Sequence, residues 1–202
     1  MTATSTSERT ILLHGPEDFA GMRAAGRLAA EVLDMLVPHV VPGVTTAALD
    51  ALAHAFVLDH GAASATIFYR GYSHALCISV NHVICHGIPG PRPLQDGDIL
   101  NIDVTIVLDG WYGDTSRMYY AGTPPLKARR LTDVTYECLM RGIAAAQPGA
   151  RLGDIGHAIQ QHAEKNRMSV VRDFCGHGIG RTFHAAPNVL HFGRPGEGLE
   201  LR

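Results

Sequence analysis

Cysteine is scarce. The four in 202 residues, Cys77, Cys85, Cys138 and Cys175, are separated by 8, 53 and 37 positions, which matches neither a CxxC zinc pattern nor a dense disulfide framework. They read as reduced thiols of a cytoplasmic protein. An excess of charge of one sign is also missing: 17 basic against 19 acidic residues leave a formal charge of -2, so no electrostatic footprint points to nucleic acid or to an anionic membrane. No apolar run approaches the ~18 residues of a membrane span. The polar start, Met-Thr-Ala-Thr-Ser-Thr-Ser-Glu-Arg-Thr, lacks the basic and apolar stretches of a secretory signal. A P-loop lysine and an HExxH are absent too, which removes the Walker-type nucleotide site and the helix-borne zinc protease arrangement.

What is present is the composition of an ordinary folded protein, 46% hydrophobic and 18% charged, and the length suffices for a core that needs no staples. Residues 1–10 read as a disordered start and residues 11–202 as a single domain. Pro16, Glu17 and Asp18 open a helix in which Phe19, Met22, Ala25, Leu28, Ala29, Val32, Leu33 and Leu36 recur at spacings of three and four. After Pro42-Gly43, either Thr45 or Thr46 caps a second helix with Leu49, Leu52, Ala53 and Phe56 on one face, stopping at Gly61. Residues 75–89 read as short strands broken at Asn81-His82, with Val83, Ile84 and Cys85 in the second. Ile99 to Val107 and Trp111 to Tyr120 form a hairpin around Asp109-Gly110. A third helix runs from Leu126 to Ala146 with Leu131, Val134, Cys138, Leu139 and Ile143 on one side, and a fourth from Leu152 to Arg167.

Pro42-Gly43 and Pro148-Gly149 stand 106 positions apart, each between a longer and a shorter helix, which reads as an internal duplication. On that spacing the hairpin at 99–119 has its counterpart at 205–225, past Arg202. The second half is therefore expected to be incomplete.

Aspartate is disfavoured inside strands, yet Asp103 and Asp114 both sit well within the hairpin. If Asp109-Gly110 is the two-residue turn, Leu108 faces Trp111, Asp103 faces Ser116 and Thr105 faces Asp114. The two carboxylates then lie on one face, diagonal across the ladder at ~7 to 8 Å between backbones, within side-chain reach of a shared ion. Carboxylates held this way repel unless a proton or a cation intervenes, and the other reading of the pair is a solvent-exposed polar face. Histidine complements them, and His177, His184 and His191 recur in a glycine-rich segment where close backbone approach is permitted. Taken singly, each is as well read as a packed or surface histidine.

Together, Cys85-His86-Gly87-Ile88-Pro89, Asn101-Ile102-Asp103-Val104-Thr105, Gly113-Asp114-Thr115-Ser116, and Gly176-His177-Gly178-Ile179-Gly180 followed by Phe183-His184-Ala185-Ala186-Pro187 resemble, in order and spacing, the type I methionine aminopeptidases. The resemblance runs from about Asp18 to Leu201. It implies an α+β, pita-bread fold of two pseudo-symmetric αβ halves around a site for two divalent metal ions, whether Co, Mn, Fe or Zn. It makes Asp103 a ligand of one metal, Asp114 the bridging carboxylate and His177 a ligand of the second. His86 and His184 would contact the scissile amide and serve catalysis, and Tyr69, Tyr72, Cys77 and Phe183 would line the pocket for the methionine side chain. The implied reaction is removal of the initiator methionine, and the implied partners are nascent peptides with an N-terminal methionine and, where these emerge, the ribosome.

The family's two remaining metal ligands are glutamates of the second hairpin and the last strand. Glu197 and Glu200, in Pro-Gly-Glu-Gly-Leu-Glu, lie too close to His177 to replace them. With two aspartates and one histidine, weak metal binding and low activity are expected of the 202 residues alone. Two other readings stand beside this one: a non-catalytic pita-bread protein that binds a peptide or protein partner, and a proline-specific peptidase or creatinase relative, against which the Cys-His-Gly-Ile-Pro segment and the Tyr72/Cys77 pair speak.

Overall fold

Proline at the first helical position and two acids in the first turn suit the positive end of a helix, and the chain enters α1, Pro16–Leu36, at that point. This structure is a computed structural model and describes residues 11–202; the disorder expected for residues 1–10 lies outside the described residues. The chain divides into two compact units. One holds Gly15–Asp133 and Gly180–Phe183, the other Val134–Ile179 and His184–Arg202 with residues 11–14.

In the first unit, Ala25, Leu28, Ala29, Val32, Leu33 and Leu36 form the buried stripe of α1, while Phe19, on the same predicted face, is exposed. The second helix, α2, spans Thr46–Asp59. Thr45 is its cap: its side chain accepts from the Ala48 N–H at 3.1 Å, whereas the Thr46 hydroxyl is engaged with Gly90. Four antiparallel strands follow, β1 (Ala63–Ser64), β2 (Leu76–Val80), β3 (Asp98–Leu108) and β4 (Trp111–Ala121). β4 pairs with β3 along its whole length, and β2 and β1 follow one another along the other edge of β3.

One strand expectation fails. Val83, Ile84 and Cys85 are not in a strand, and Ile84 is 65% exposed. The chain leaves the ladder at Asn81, whose φ is +54° and whose side chain donates to Asp98 at 2.7 Å and accepts from the Ile99 N–H at 3.1 Å. Those bonds end β2 and turn the chain into the loop that carries His86.

Side chains alternate across a strand, and directly paired residues share a face. Leu76 and Ile78 therefore join Leu100, Ile102, Val104 and Ile106 on one side of the sheet, where they are buried with α1 and α2 in a single core. The opposite face carries Cys77, Ser79, Asn101, Asp103, Thr105, Asp114 and Ser116. One side of the sheet holds the fold together and the other concentrates the polar groups.

The third helix, α3, spans Leu126–Ala145 and continues into the second unit, where α4 spans Leu152–Lys165. The buried stripe of α3 is Val134, Cys138 and Gly142, with Ala163 completing the small cluster from α4. Leu131, Leu139 and Ile143, expected on that stripe, are exposed. Periodicity found the correct side within half a turn, and the contact with α4 selected the residues. A two-stranded antiparallel ribbon, β5 (Gly176–Gly178) and β6 (Ala185–Val189), completes the unit and was not foreseen as strand.

The duplication extends to individual backbone hydrogen bonds. Gly43 donates to the Leu94 carbonyl and Leu94 donates back to Val44, both at 2.8 Å; Gly149 and Leu201 make the same pair of 2.8 Å bonds, with Ala150 in the place of Val44. Isolated bridges join Thr45 to Pro93 and Arg151 to Glu200, and α2 and α4 both have 14 residues.

Candidate functional site

Asp109 and Gly110 have φ of +51° and +78°, the doubly left-handed turn whose twist matches that of a hairpin. The turn sets the register: Leu108 faces Trp111, Thr105 faces Asp114 and Asp103 faces Ser116, as the sequence count requires. Gly113 lets α1 pack closely on β4, since a Cβ there would stand 2.3 Å from the Ala25 carbonyl oxygen.

Burial pushes the Asp103 carboxyl up to about 7, and the neighbouring Asp114 charge adds to the shift. The same negative field reaches two thiols. Cys85 is raised by burial and then by Asp103, and Cys77 by burial, with Asp103 and Asp114 contributing. Asp103 is half-buried and Asp114 is exposed; a carboxylate partly withdrawn from water beside a second one favours a proton or a cation, and oxygen donors of this kind fit a divalent ion. Among the described residues, no three or more His, Cys, Asp or Glu side chains are gathered so that they could hold a metal ion, so His177 is not brought together with Asp103 and Asp114 as a ligand group.

His177 lies on β5 in the second unit. Its Nδ1 is 2.9 Å from the Gly178 carbonyl oxygen, and a carbonyl only accepts, so Nδ1 carries the hydrogen and Nε2 the lone pair. Metal-ligating histidines are typically oriented this way. The His184 ring lies 4.3 Å from that of His177 at an interplanar angle of 41°. In the first unit, His86 sits in the loop after β2 with φ of +56°.

The four residues assigned to a side-chain pocket fall into two contacting groups. The rings of Tyr69 and Phe183 are 4.8 Å apart, and Phe183 also stacks on Tyr112 at 5.6 Å. Tyr72 lies beside Cys77; its hydroxyl donates to the Leu76 carbonyl at 2.8 Å, and burial, followed by the Cys77 contact, holds the phenol well above its usual range. Tyr112 was not anticipated. Its N–H donates to the Gly180 carbonyl at 2.9 Å, which brings the Gly180–Phe183 segment onto β4, and no local pattern signals a contact spanning that much chain. Glu200 pairs with Arg151 at 3.5 Å and Glu197 with Arg194 at 3.8 Å, so both glutamates have partners other than an ion.

The sequence profile of metallopeptidase family M24 matches residues 20–202. A methionine aminopeptidase of Rickettsia prowazekii is 56% identical over 193 residues, covering 96% of this chain and 74% of that protein. Methionine aminopeptidase A of Synechocystis is 51% identical, covering 96% and 77%. The crystal structure of methionine aminopeptidase from Rickettsia prowazekii superposes with a TM-score of 0.94 over 96% of this chain and 78% of that one.

Proposed function

The chain belongs to metallopeptidase family M24, and from that premise we propose that it removes the N-terminal methionine of newly made proteins by hydrolysing the first peptide bond. The fold is the pita-bread fold of the family, and the activity is that of a methionine aminopeptidase. The observation that carries the reading is the Asp103 carboxyl, half-buried beside Asp114 on the polar face of a sheet whose other face is the core.

Asp103, Asp114 and His177 would hold two divalent cations, with Asp114 shared between them. The donor chemistry fits such ions: two carboxylates in one field, and an imidazole whose Nδ1–H is already committed to a carbonyl. When bound, divalent ions polarise a carbonyl and acidify water, which is the chemistry that peptide hydrolysis demands. Mn, Fe, Co and Zn all suit this donor set.

The chain's own residues do the rest. His86 and His184 hydrogen-bond the scissile amide and stabilise the oxyanion as the tetrahedral intermediate forms. Tyr69, Tyr72, Cys77 and Phe183 receive the thioether side chain, whose burial against rings and a thiol is favourable. The substrates are nascent peptides that begin with methionine, met in the cytoplasm where they leave the ribosome.

The test is metal-dependent release of methionine from Met-Ala-Ser by the full-length protein, with acetyl-Met-Ala-Ser and Phe-Ala-Ser as controls. Release is expected from the first peptide and from neither control. Peptide binding without release under Mn(II) or Co(II) would instead support the non-catalytic reading.

A further inference from the structure

The loop that carries His86 is anchored at both ends. At its start, the Asn81 side chain is bound to Asp98 and to the Ile99 N–H. At its end, the Thr46 hydroxyl accepts from the Gly90 N–H at 2.9 Å. Between these anchors the loop returns to the free edge of β2: the Ile78 N–H donates to the Gly87 carbonyl at 2.8 Å, and the Gly87 N–H donates to the Ser79 hydroxyl oxygen at 3.0 Å.

The second bond bears on His86 directly, because the Gly87 N–H belongs to the peptide that joins His86 to Gly87. His86 has the left-handed backbone, φ +56°, that non-glycine residues adopt only where the surroundings hold them. Gly87 permits the grip. A Cβ there would stand 2.2 Å from the Ile78 carbonyl oxygen and 2.8 Å from the Ser79 Cα, so a side chain would push the loop off the strand. Ser79 is 3% exposed, and a hydroxyl so withdrawn from water holds its partner without solvent competition. It also stands on the polar face of the sheet, in register with Asn101 and two positions from Cys77.

We propose that Ser79 is a positioning residue for His86: its hydroxyl fixes the His86–Gly87 peptide and so directs the imidazole at the scissile amide. The proposal rests on the role given to His86 above. Removing the hydroxyl leaves the metal-ligand set and the side-chain pocket untouched, so the loss falls on kcat rather than on KM.

A double-mutant cycle in the full-length protein tests this, with kcat and KM for Met-Ala-Ser, metal content and melting temperature measured for each variant. Ser79→Ala is expected to lower kcat about tenfold, the scale of a modest misplacement, with KM and metal content unchanged. Ser79→Thr, which keeps the hydroxyl, is expected to recover most of the rate. In a His86→Ala background, Ser79→Ala is expected to cost nothing further. Equal losses in both backgrounds, or an unchanged kcat in Ser79→Ala while His86→Ala is impaired, overturn the proposal. Full activity in His86→Ala refutes the role of His86 itself, and the positioning role falls with it.

A readout independent of turnover is the exchange rate of the Gly87 amide hydrogen, which is expected to rise in Ser79→Ala while the amides of β2 stay protected. An unchanged Gly87 rate overturns the assignment. Should Ser79→Ala unfold, Ser79→Cys, which offers a weaker acceptor in similar volume, carries the same comparisons.

Discussion

Replacing Gly113 by alanine tests how α1 seats on the sheet. The added methyl would stand 2.3 Å from the Ala25 carbonyl oxygen, 2.5 Å from its carbon and 2.9 Å from the Gly26 nitrogen. Ordinary contact begins near 3.4 Å, so about 1 Å of overlap must be absorbed. All three atoms are helix backbone, and no side-chain rotation relieves the clash. The helix must lift from β4, opening the packing of Ala25, Leu28 and Ala29. Overpacking costs about 1–3 kcal/mol, and a rigid obstacle puts this case at the upper end. The entropy that alanine removes from the unfolded chain offsets about 0.4–1 kcal/mol at most, leaving a net loss of about 2 kcal/mol. In a chain of 202 residues that lowers the melting temperature by about 4–8 °C. Gly26 supplies the control: it lies in the same helix, but its Cβ would meet nothing within 4 Å, so Gly26→Ala should raise stability by about 0.5–1 kcal/mol. Thermal unfolding followed by circular dichroism reads both. A Gly113→Ala protein that melts with its parent would refute the close approach of α1 to β4.

Asp103 makes the stability of metal-free protein depend on pH. Its folded-state value of about 7 lies above the ordinary 3.8, so between these values the folded chain keeps a proton that the unfolded chain has released. Its contribution is complete below pH 4 and is lost as the pH rises to 7, on the order of 4 kcal/mol in all. Urea midpoints in EDTA across that range should fall more steeply for the parent than for Asp103→Asn, and parallel curves would sink the idea. Asp114→Ala should abolish the uptake of divalent ions measured by calorimetry, and a retained two-ion stoichiometry contradicts the bridging role. Thr45→Ala should cost about 1 kcal/mol in urea unfolding through loss of the α2 cap, whereas a neutral outcome would move the cap to another group.

Local chemistry made much of this protein readable. The bounds of α1 and α2 follow from proline, acids, a capping threonine and glycine, all acting within a turn of their own position. The hairpin register follows from two turn residues, and with it the placement of Asp103 and Asp114 on one face, because the strand period of two leaves no other choice. Reading stopped where the outcome depended on a distant partner. Val83 and Ile84 have strand-forming side chains, but Asn81 bound to Asp98 turned the chain away from the ladder. Leu131, Leu139 and Ile143 fit a helical stripe as well as Val134 and Cys138 do, and only the seat of α4 separated them.

The sequence by itself determined the family, the internal repeat and the placement of Asp103 and Asp114 on one face of the hairpin, since these reside in residue types and spacings. Tertiary structure decided the surroundings: that Asp103 is partly withdrawn from water, that Tyr112 joins Phe183 and Tyr69, and that Ser79 holds the peptide next to His86. The physical reason is range. Turn and strand geometry act over a few residues, whereas desolvation and packing arise only when segments far apart in the chain come together.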